Sequence, residues 1–181
     1  MKFETDRLTI REFSLNDEAD IHEYGCDPEV VEHMIWGPNS LADTQEALFR
    51  MIKFQEESPR VNFEFAIVLK ASGKVIGGCG LRLGNAIDKV GDIGYVLNRK
   101  FWGQGIMTEA VALLLRFGFE DLGLHRITAM TRPKNLGSQR VLTKSGFRHE
   151  GTFLENKFYK NKFNDSAYYA ILKSEWKNAK V

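Results

Sequence analysis

The alternation of apolar and polar positions changes period several times along the chain. Arg7-Leu-Thr-Ile-Arg-Glu-Phe13 alternates strictly, which predicts a half-buried strand. Ser14-Leu-Asn-Asp17 follows, with an acidic residue three positions after a Ser, a start signal for a helix over 18–24. Asp27-Pro28 restarts helix to about Met34, and Gly37-Pro38 stops it. A longer amphipathic helix is predicted over 44–56, with Ala47, Leu48, Met51 and Ile52 on one face. Runs 62–69 and 74–83 read as strands flanking the hairpin signal Ala71-Ser-Gly-Lys74. A third strand, 90–97, comes after the turn-like Asn85–Lys89. The period then lengthens over 108–122, where Ala112, Leu115, Phe119 and Leu122 are apolar, and a helix is expected. A strand over 125–131, a short helix over 137–145 ended by Gly146, and strands over 147–158 and 167–172 complete the chain. The sum is an α+β domain around a mixed, largely antiparallel sheet. No linker, repeat or low-complexity stretch divides it, so one domain over 1–181 is expected.

Composition narrows the classes. Twenty-five Lys+Arg against 24 Asp+Glu leave a formal charge of +1, which gives no support to a general nucleic-acid or membrane-surface binder. Cys26 and Cys79 lie too far apart for a CxxC motif, and His22, His33, His125 and His149 show no ligand spacing, so no metal site is expected. Charges occupy the start, where a signal peptide would need an apolar stretch. The longest wholly apolar run, Ala110-Val-Ala-Leu-Leu-Leu115, is far short of the roughly 20 residues that span a bilayer. A cytoplasmic protein without membrane partners is the expectation.

The stretch Tyr95-Val-Leu-Asn-Arg-Lys-Phe-Trp-Gly-Gln-Gly-Ile-Met-Thr-Glu109 carries the most chemistry. A strand ends, Gly103 and Gly105 follow, and a helix begins directly after them. Glycines allow close backbone approach, and a helix start supplies unsatisfied N–H groups and a positive dipole end, an arrangement suited to a pyrophosphate. A tight strand-to-helix turn that needs glycine only for its geometry is the other reading. A dinucleotide fingerprint is disfavoured because Gly103-Gln-Gly105-Ile-Met-Thr108 lacks the third glycine, and no GK[ST] is present for a phosphate-binding loop of that type.

This segment resembles motif A of the GNAT acyl-CoA N-acyltransferases, Q/RxxGxG/A, here Trp102-Gly-Gln-Gly105-Ile-Met107 with departures at both ends. Phe-Trp-Gly-Gln-Gly-Ile-Met-Thr-Glu-Ala is similar to the RimJ/RimL-like branch, the ribosomal-protein N-terminal acetyltransferases and their kin. So are the opening Thr5-Asp-Arg-Leu-Thr-Ile-Arg11, the run Asn135-Leu-Gly-Ser-Gln-Arg-Val-Leu-Thr-Lys-Ser-Gly-Phe147 with Glu150-Gly151, and the ending Asp165…Tyr169…Glu175-Trp176. The resemblance implies a GNAT fold, in which a central strand pair splays to hold acetyl-CoA. It implies that Tyr95, Val96 and Leu97 offer backbone groups to the pantetheine and thioester. The backbone of Gly103, Gln104, Gly105, Ile106, Met107 and Thr108 would hold the pyrophosphate, and Asn135 would contact the cofactor arm unless it only caps the following helix.

The implied reaction is direct attack of a primary amine on the thioester, without metal. The acceptor would be a protein N-terminal α-amine, as for ribosomal proteins, or a small amine. The tyrosine that many members use to protonate the leaving thiolate corresponds to Leu142, and Ser138 takes its place as the expected catalytic residue. Glu64 and Glu155 are the candidate carboxylate bases, each with a surface salt-bridge role as the other reading; a carboxylate of RimL-like chains aligns with Lys157. Trp36, Phe63, Phe158 and Tyr159 line either the acceptor side or the core. Lys157-Phe-Tyr-Lys-Asn-Lys162 reads as a solvated hairpin tip rather than an RNA-stacking surface. An acyl-CoA-binding protein of this fold with little turnover is the alternative function. Oligomeric state is not written in the sequence, and a homodimer stays open.

Overall fold

The computed structural model describes residues 1–84 and 87–176. Asn85 and Ala86 of the expected turn, and 177–181 of the expected domain, lie outside the described residues. Strands β1 (Lys2–Glu4) and β2 (Leu8–Glu12) open the chain, and helices α1 (Glu18–Gly25), α2 (Pro28–Val31) and α3 (Leu41–Lys53) follow. Strands β3 (Asn62–Leu69), β4 (Val75–Leu83) and β5 (Val90–Leu97) come next. Helix α4 (Ile106–Arg116), β6 (Arg126–Thr131), α5 (Leu136–Lys144), β7 (Arg148–Tyr159) and β8 (Lys162–Leu172) complete the order. All eight strands form one mixed sheet, β1-β2-β3-β4-β5-β6-β8-β7. Only β5 and β6 pair in parallel among the described strands, as a strand–helix–strand crossover through α4 requires.

Two apolar layers cover the sheet. On one face Leu8, Phe65, Ile67, Leu81, Ile93 and Ile127 pack against Ala110, Val111, Leu114 and Leu115 of α4. On the other, Ala66, Val68 and Val75 pack against Ile21, Tyr24, Val31 and Leu48 from α1, α2 and α3. The alternation in β3 lets that strand serve both layers, while β2 gives Leu8 and Ile10 to the first.

Boundaries moved for local reasons. Helix α3 begins at Leu41, before Thr44, because Ser40 and Asp43 cap each other: Asp43 N–H donates to Ser40 Oγ (3.2 Å) and Ser40 N–H to Asp43 Oδ2 (2.8 Å). Helix α2 stops at Val31 rather than near Met34, since the Val31 carbonyl accepts the Met34 N–H (2.9 Å) in a tight turn and also Lys160 Nζ (2.7 Å). The helix expected over 108–122 starts at Ile106 and widens after Arg116 into a π-turn over Phe117–Asp121. Strand β8 begins at Lys162, five residues earlier than Ala167, because Lys160 and Asn161 both take left-handed φ (50° and 58°) and fold a two-residue hairpin turn. That turn is the tip expected within 157–162. Strand β1 was not foreseen.

Candidate active site

The register of β5 and β6 creates an opening. Val90, Gly91 and Asp92 pair with Arg126, Ile127 and Thr128, and pairing ends there. Strand β5 continues to Leu97 against β4 alone, while Ala129, Met130 and Thr131 of β6 pair with β8 alone. The two strands therefore diverge after Asp92. Asn98 N–H donates to the Ile76 carbonyl of β4 (2.8 Å), so alternation turns the N–H and C=O groups of Tyr95 and Leu97 toward the gap and those of Val96 toward β4. The indole Nε1–H of Trp102 occupies the Leu97 carbonyl (2.8 Å), which leaves the Leu97 N–H and the Tyr95 backbone open to a ligand.

The glycine loop follows. Gly103 and Gly105 hold φ of 75° and 76°, the left-handed region that disfavours any side chain. A Cβ at Gly103 would meet nothing within 4 Å, and one at Gly105 only Arg7 Nη2 at 3.8 Å, so both face open space. The first helical bond of α4 runs from Glu109 N–H to the Gly105 carbonyl (3.1 Å), leaving the N–H groups of Ile106, Met107 and Thr108 ahead of it without intrahelical acceptors. The side chains of Ile106 and Met107 are buried, so these two residues face the loop with backbone only. A shallow cleft of about 550 Å³ adjoins, lined by Thr5, Arg7, Gly105, Thr108, Glu109 and Lys144. Left-handed glycines in open space and the free amides of the helix start fit a pyrophosphate, while the side chains of the cleft balance Arg7 and Lys144 against Asp6 and Glu109.

Arg7 was missed as a site residue. Its Nη1 donates to the Gln104 carbonyl (3.0 Å), its Nε donates to Glu109 Oε2 (2.8 Å), and its Nη2 and the Thr5 hydroxyl also bond to that carboxylate. The opening Thr5-Asp-Arg7 is thereby bolted to the loop and to the first turn of α4. Spacing in sequence offered no signal for this, because 97 positions separate Arg7 from Gln104.

Helix α5 spans the far end of the gap. Asn135 Oδ1 accepts the Ser138 N–H (3.0 Å), so Asn135 is the helix cap, and its amide nitrogen makes no hydrogen bond among the described residues. Ser138 Oγ does not cap the helix. It lies 2.9 Å from Tyr95 Oη. Leu142 is fully buried in the core and offers the gap nothing.

The opposite face of the sheet carries two carboxyls beside β5. Glu64, Gly80 and Gly94 are aligned across β3, β4 and β5, and share a face. A Cβ at Gly80 would lie 2.4 Å from Glu64 Oε2, so the carboxyl sits over that glycine. Beside it, one strand spacing (~4.8 Å) further on, a Cβ at Gly94 would meet nothing within 4 Å. Burial pushes the Glu64 carboxyl above its ordinary value, with Arg82 and Arg50 opposing. Asp92 lies on the same face; burial raises it too, against the Thr128 hydroxyl that donates to it (3.0 Å). Glu155, the other candidate base, sits exposed at an irregularity of β7 with φ of 47°, its N–H bonded to Asp165 Oδ1 (2.7 Å). Trp36 and Phe158 are exposed, Tyr159 stacks under Arg132, and Phe63 is core. Lys157 is exposed on β7 and pairs with Asn164 in register.

Residues 7–148 match the model of the acetyltransferase (GNAT) domain. The chain belongs to the GNAT acetyltransferase family. An uncharacterized N-acetyltransferase p20 of Bacillus licheniformis is 33% identical over 172 residues, covering 95% of this chain and 96% of that one. A solved GNAT-family acetyltransferase from Bacillus anthracis superposes with a TM-score of 0.85 at 31% identity, over 97% of this chain and 100% of that one. Relatives also include the ribosomal protein uS5 alanine N-acetyltransferase of Escherichia coli, 29% identical over 84 residues, 46% of this chain and 43% of that one. The branch suggested by the motifs is thus represented among its relatives, and the chain is an N-acetyltransferase. GNAT acetyltransferases draw their acetyl group from acetyl-CoA. Its departures from the written motif, Trp102 and Met107, leave the backbone of the loop intact. Among the described residues no group of His, Cys, Asp and Glu is placed to hold a metal ion, and no helix is long and apolar enough to cross a membrane.

Proposed function

We propose that this protein transfers the acetyl group of acetyl-CoA to a primary amine, with a peptide or protein N-terminal α-amine as the favoured acceptor. The observation that carries the reading is Glu64, a half-buried carboxyl over Gly80 beside the open space at Gly94. A nucleophilic amine must be neutral. An α-amine (pKa about 8) meets that condition far more easily near pH 7 than a lysine side chain (about 10.4), a difference of roughly 3 kcal/mol.

Acetyl-CoA supplies an acyl group already activated as a thioester. The amides of Gly103, Gln104, Gly105, Ile106, Met107 and Thr108 hold its pyrophosphate, and the amide nitrogen of Asn135 reaches its arm. The Tyr95 backbone and the Leu97 N–H face the pantetheine and the acyl oxygen, where a positioned donor counts most as charge develops. Glu64 accepts the amine proton, directly or through one water, and its raised value suits a base working near neutrality. Ser138 donates to the departing sulfur in place of a residue at Leu142.

Release of free thiol tests this, using acetyl-CoA with a short peptide bearing a free α-amine, its N-acetylated form, and a polyamine. Turnover with the free peptide alone supports the reading. Turnover with the polyamine alone moves the acceptor to small amines. No turnover with any amine, despite tight acetyl-CoA binding, favours an acyl-CoA-binding role.

A further inference from the structure

Tyr95 and Ser138 face each other across the diverging strands. Tyr95 Oη lies 2.9 Å from Ser138 Oγ and 3.2 Å from the Ser138 carbonyl. A phenol has one hydrogen, which permits two arrangements. If it goes to the carbonyl, the Ser138 hydrogen is spent on the phenol oxygen. If it goes to Oγ, the Ser138 hydrogen is free to point into the gap. The greater acidity of a phenol over an aliphatic hydroxyl favours the second. Burial pushes Tyr95 up to about 12, outweighing its bond to Ser138, so it stays a donor across neutral pH.

The surroundings leave Ser138 little freedom except rotation of its hydroxyl. Asn135 Oδ1 holds its N–H (3.0 Å), and Tyr169 Oη on β8 donates to Oε1 of the next residue, Gln139 (3.2 Å). The first turn of α5 is therefore tied to β5 by one tyrosine and to β8 by another.

We propose that Tyr95 is the positioning residue for Ser138, donating to its Oγ and directing its hydroxyl hydrogen at the sulfur that leaves the acyl group. This rests on the reading of Ser138 as the donor to that sulfur. As the amine nitrogen bonds to the acyl carbon, the carbon–sulfur bond breaks and sulfur keeps the electron pair. The thiolate so formed accepts the hydrogen bond of Ser138 that Tyr95 directs, both hydroxyls keep their protons, and the proton that the amine gives to Glu64 passes to solvent.

The test is the pKa of the CoA thiol bound alone to the protein, read from the ultraviolet absorbance of its thiolate across pH. A directed donor stabilises the thiolate, so the bound thiol should titrate about one unit below free CoA, a tenfold effect. Tyr95→Phe, which keeps the ring, and Ser138→Ala should each remove that shift. The double variant should remove no more than either alone, and Ser138→Thr should keep it. In turnover, both single variants should lower kcat by a similar factor, with KM for acetyl-CoA unchanged. If Tyr95→Phe keeps the wild-type thiol pKa while Ser138→Ala loses the shift, Tyr95 does not position Ser138 and the proposal falls, with the reading of Ser138 intact. If Ser138→Ala also has no effect, that reading falls with it.

Discussion

Arg7 Nη1 donates to the carbonyl of Gln104 at 3.0 Å, which couples the segment before β2 to the middle of the glycine loop. The same guanidinium grips Glu109 in the first turn of α4, so one side chain sets the loop against the helix start. Ligand contacts made by backbone amides depend on that relative placement.

Arg7→Ala should therefore weaken acetyl-CoA binding about tenfold, or about 1.4 kcal/mol, near the low end for one hydrogen bond from a charged group. Arg7→Lys should not restore it, because a point charge cannot bond the carbonyl and the carboxylate in the fork geometry of a guanidinium. Calorimetric titration checks both variants. Stability should change little, since the Arg7 side chain is 48% exposed.

Glu64 carries a pH prediction with two signs to separate. Its carboxyl titrates above the ordinary value, so kcat/KM should fall below that raised value as the base becomes protonated. Glu64→Gln should flatten that acidic limb and lower kcat roughly 10²–10³-fold. Folding responds in the opposite sense. Between the ordinary and the raised value the folded state binds more protons than the unfolded chain, so stability declines as pH rises through that window. Glu64→Gln should thus unfold at a higher temperature than wild type at neutral pH. A pH–rate profile and thermal unfolding of the same variant read the two effects.

Asp17 behaves oppositely. Burial alone would raise its carboxyl, but Arg11 bonds to both oxygens at 2.8 Å and the Ser14 N–H donates to Oδ2 (2.8 Å), and together they hold it below its ordinary value. Its stabilising contribution is full above the ordinary carboxylate range and is lost as pH falls through the depressed value. Asp17→Ala, which leaves a half-buried guanidinium and the Ser14 N–H without their partner, should cost about 2 kcal/mol at pH 7. Urea unfolding at pH 7 and again in acid checks it: the gap between wild type and variant should narrow in acid.

What was legible in the sequence followed from local rules. Strict alternation marked β2, the hairpin signal at 71–74 marked β3 and β4, the 90–97 run matches β5 to the residue, and the Gly103–Gly105 pair before an apolar run marked the loop and α4. The candidate site was legible where backbone carries it. It was not legible where side chains meet from distant segments. The Arg7–Gln104 bond, the Tyr95–Ser138 pair and the placement of Glu64 over Gly80 all depend on sheet order and register, which a single chain does not display. Near-misses at helix starts have a different origin. Ser40-Leu-Ala-Asp43 is a capping pair visible in the chain, but the apolar face that marks the helix begins only later, at Ala47.

The central claim is that the loop at Gly103–Gly105 and the start of α4 hold acetyl-CoA at the opening between β5 and β6. Thermal unfolding with and without acetyl-CoA, for wild type and Gly105→Val, tests it most directly. Ligand at about 100 times its Kd adds roughly 2.7 kcal/mol, or roughly 5–10 °C in a chain of this length. Gly105 holds φ of 76°, where a β-branched residue is strained and its side chain would enter the loop's open side. The account predicts that clear upward shift for wild type and its loss in a folded Gly105→Val variant. An unshifted wild type, or an equal shift in the variant, would contradict it.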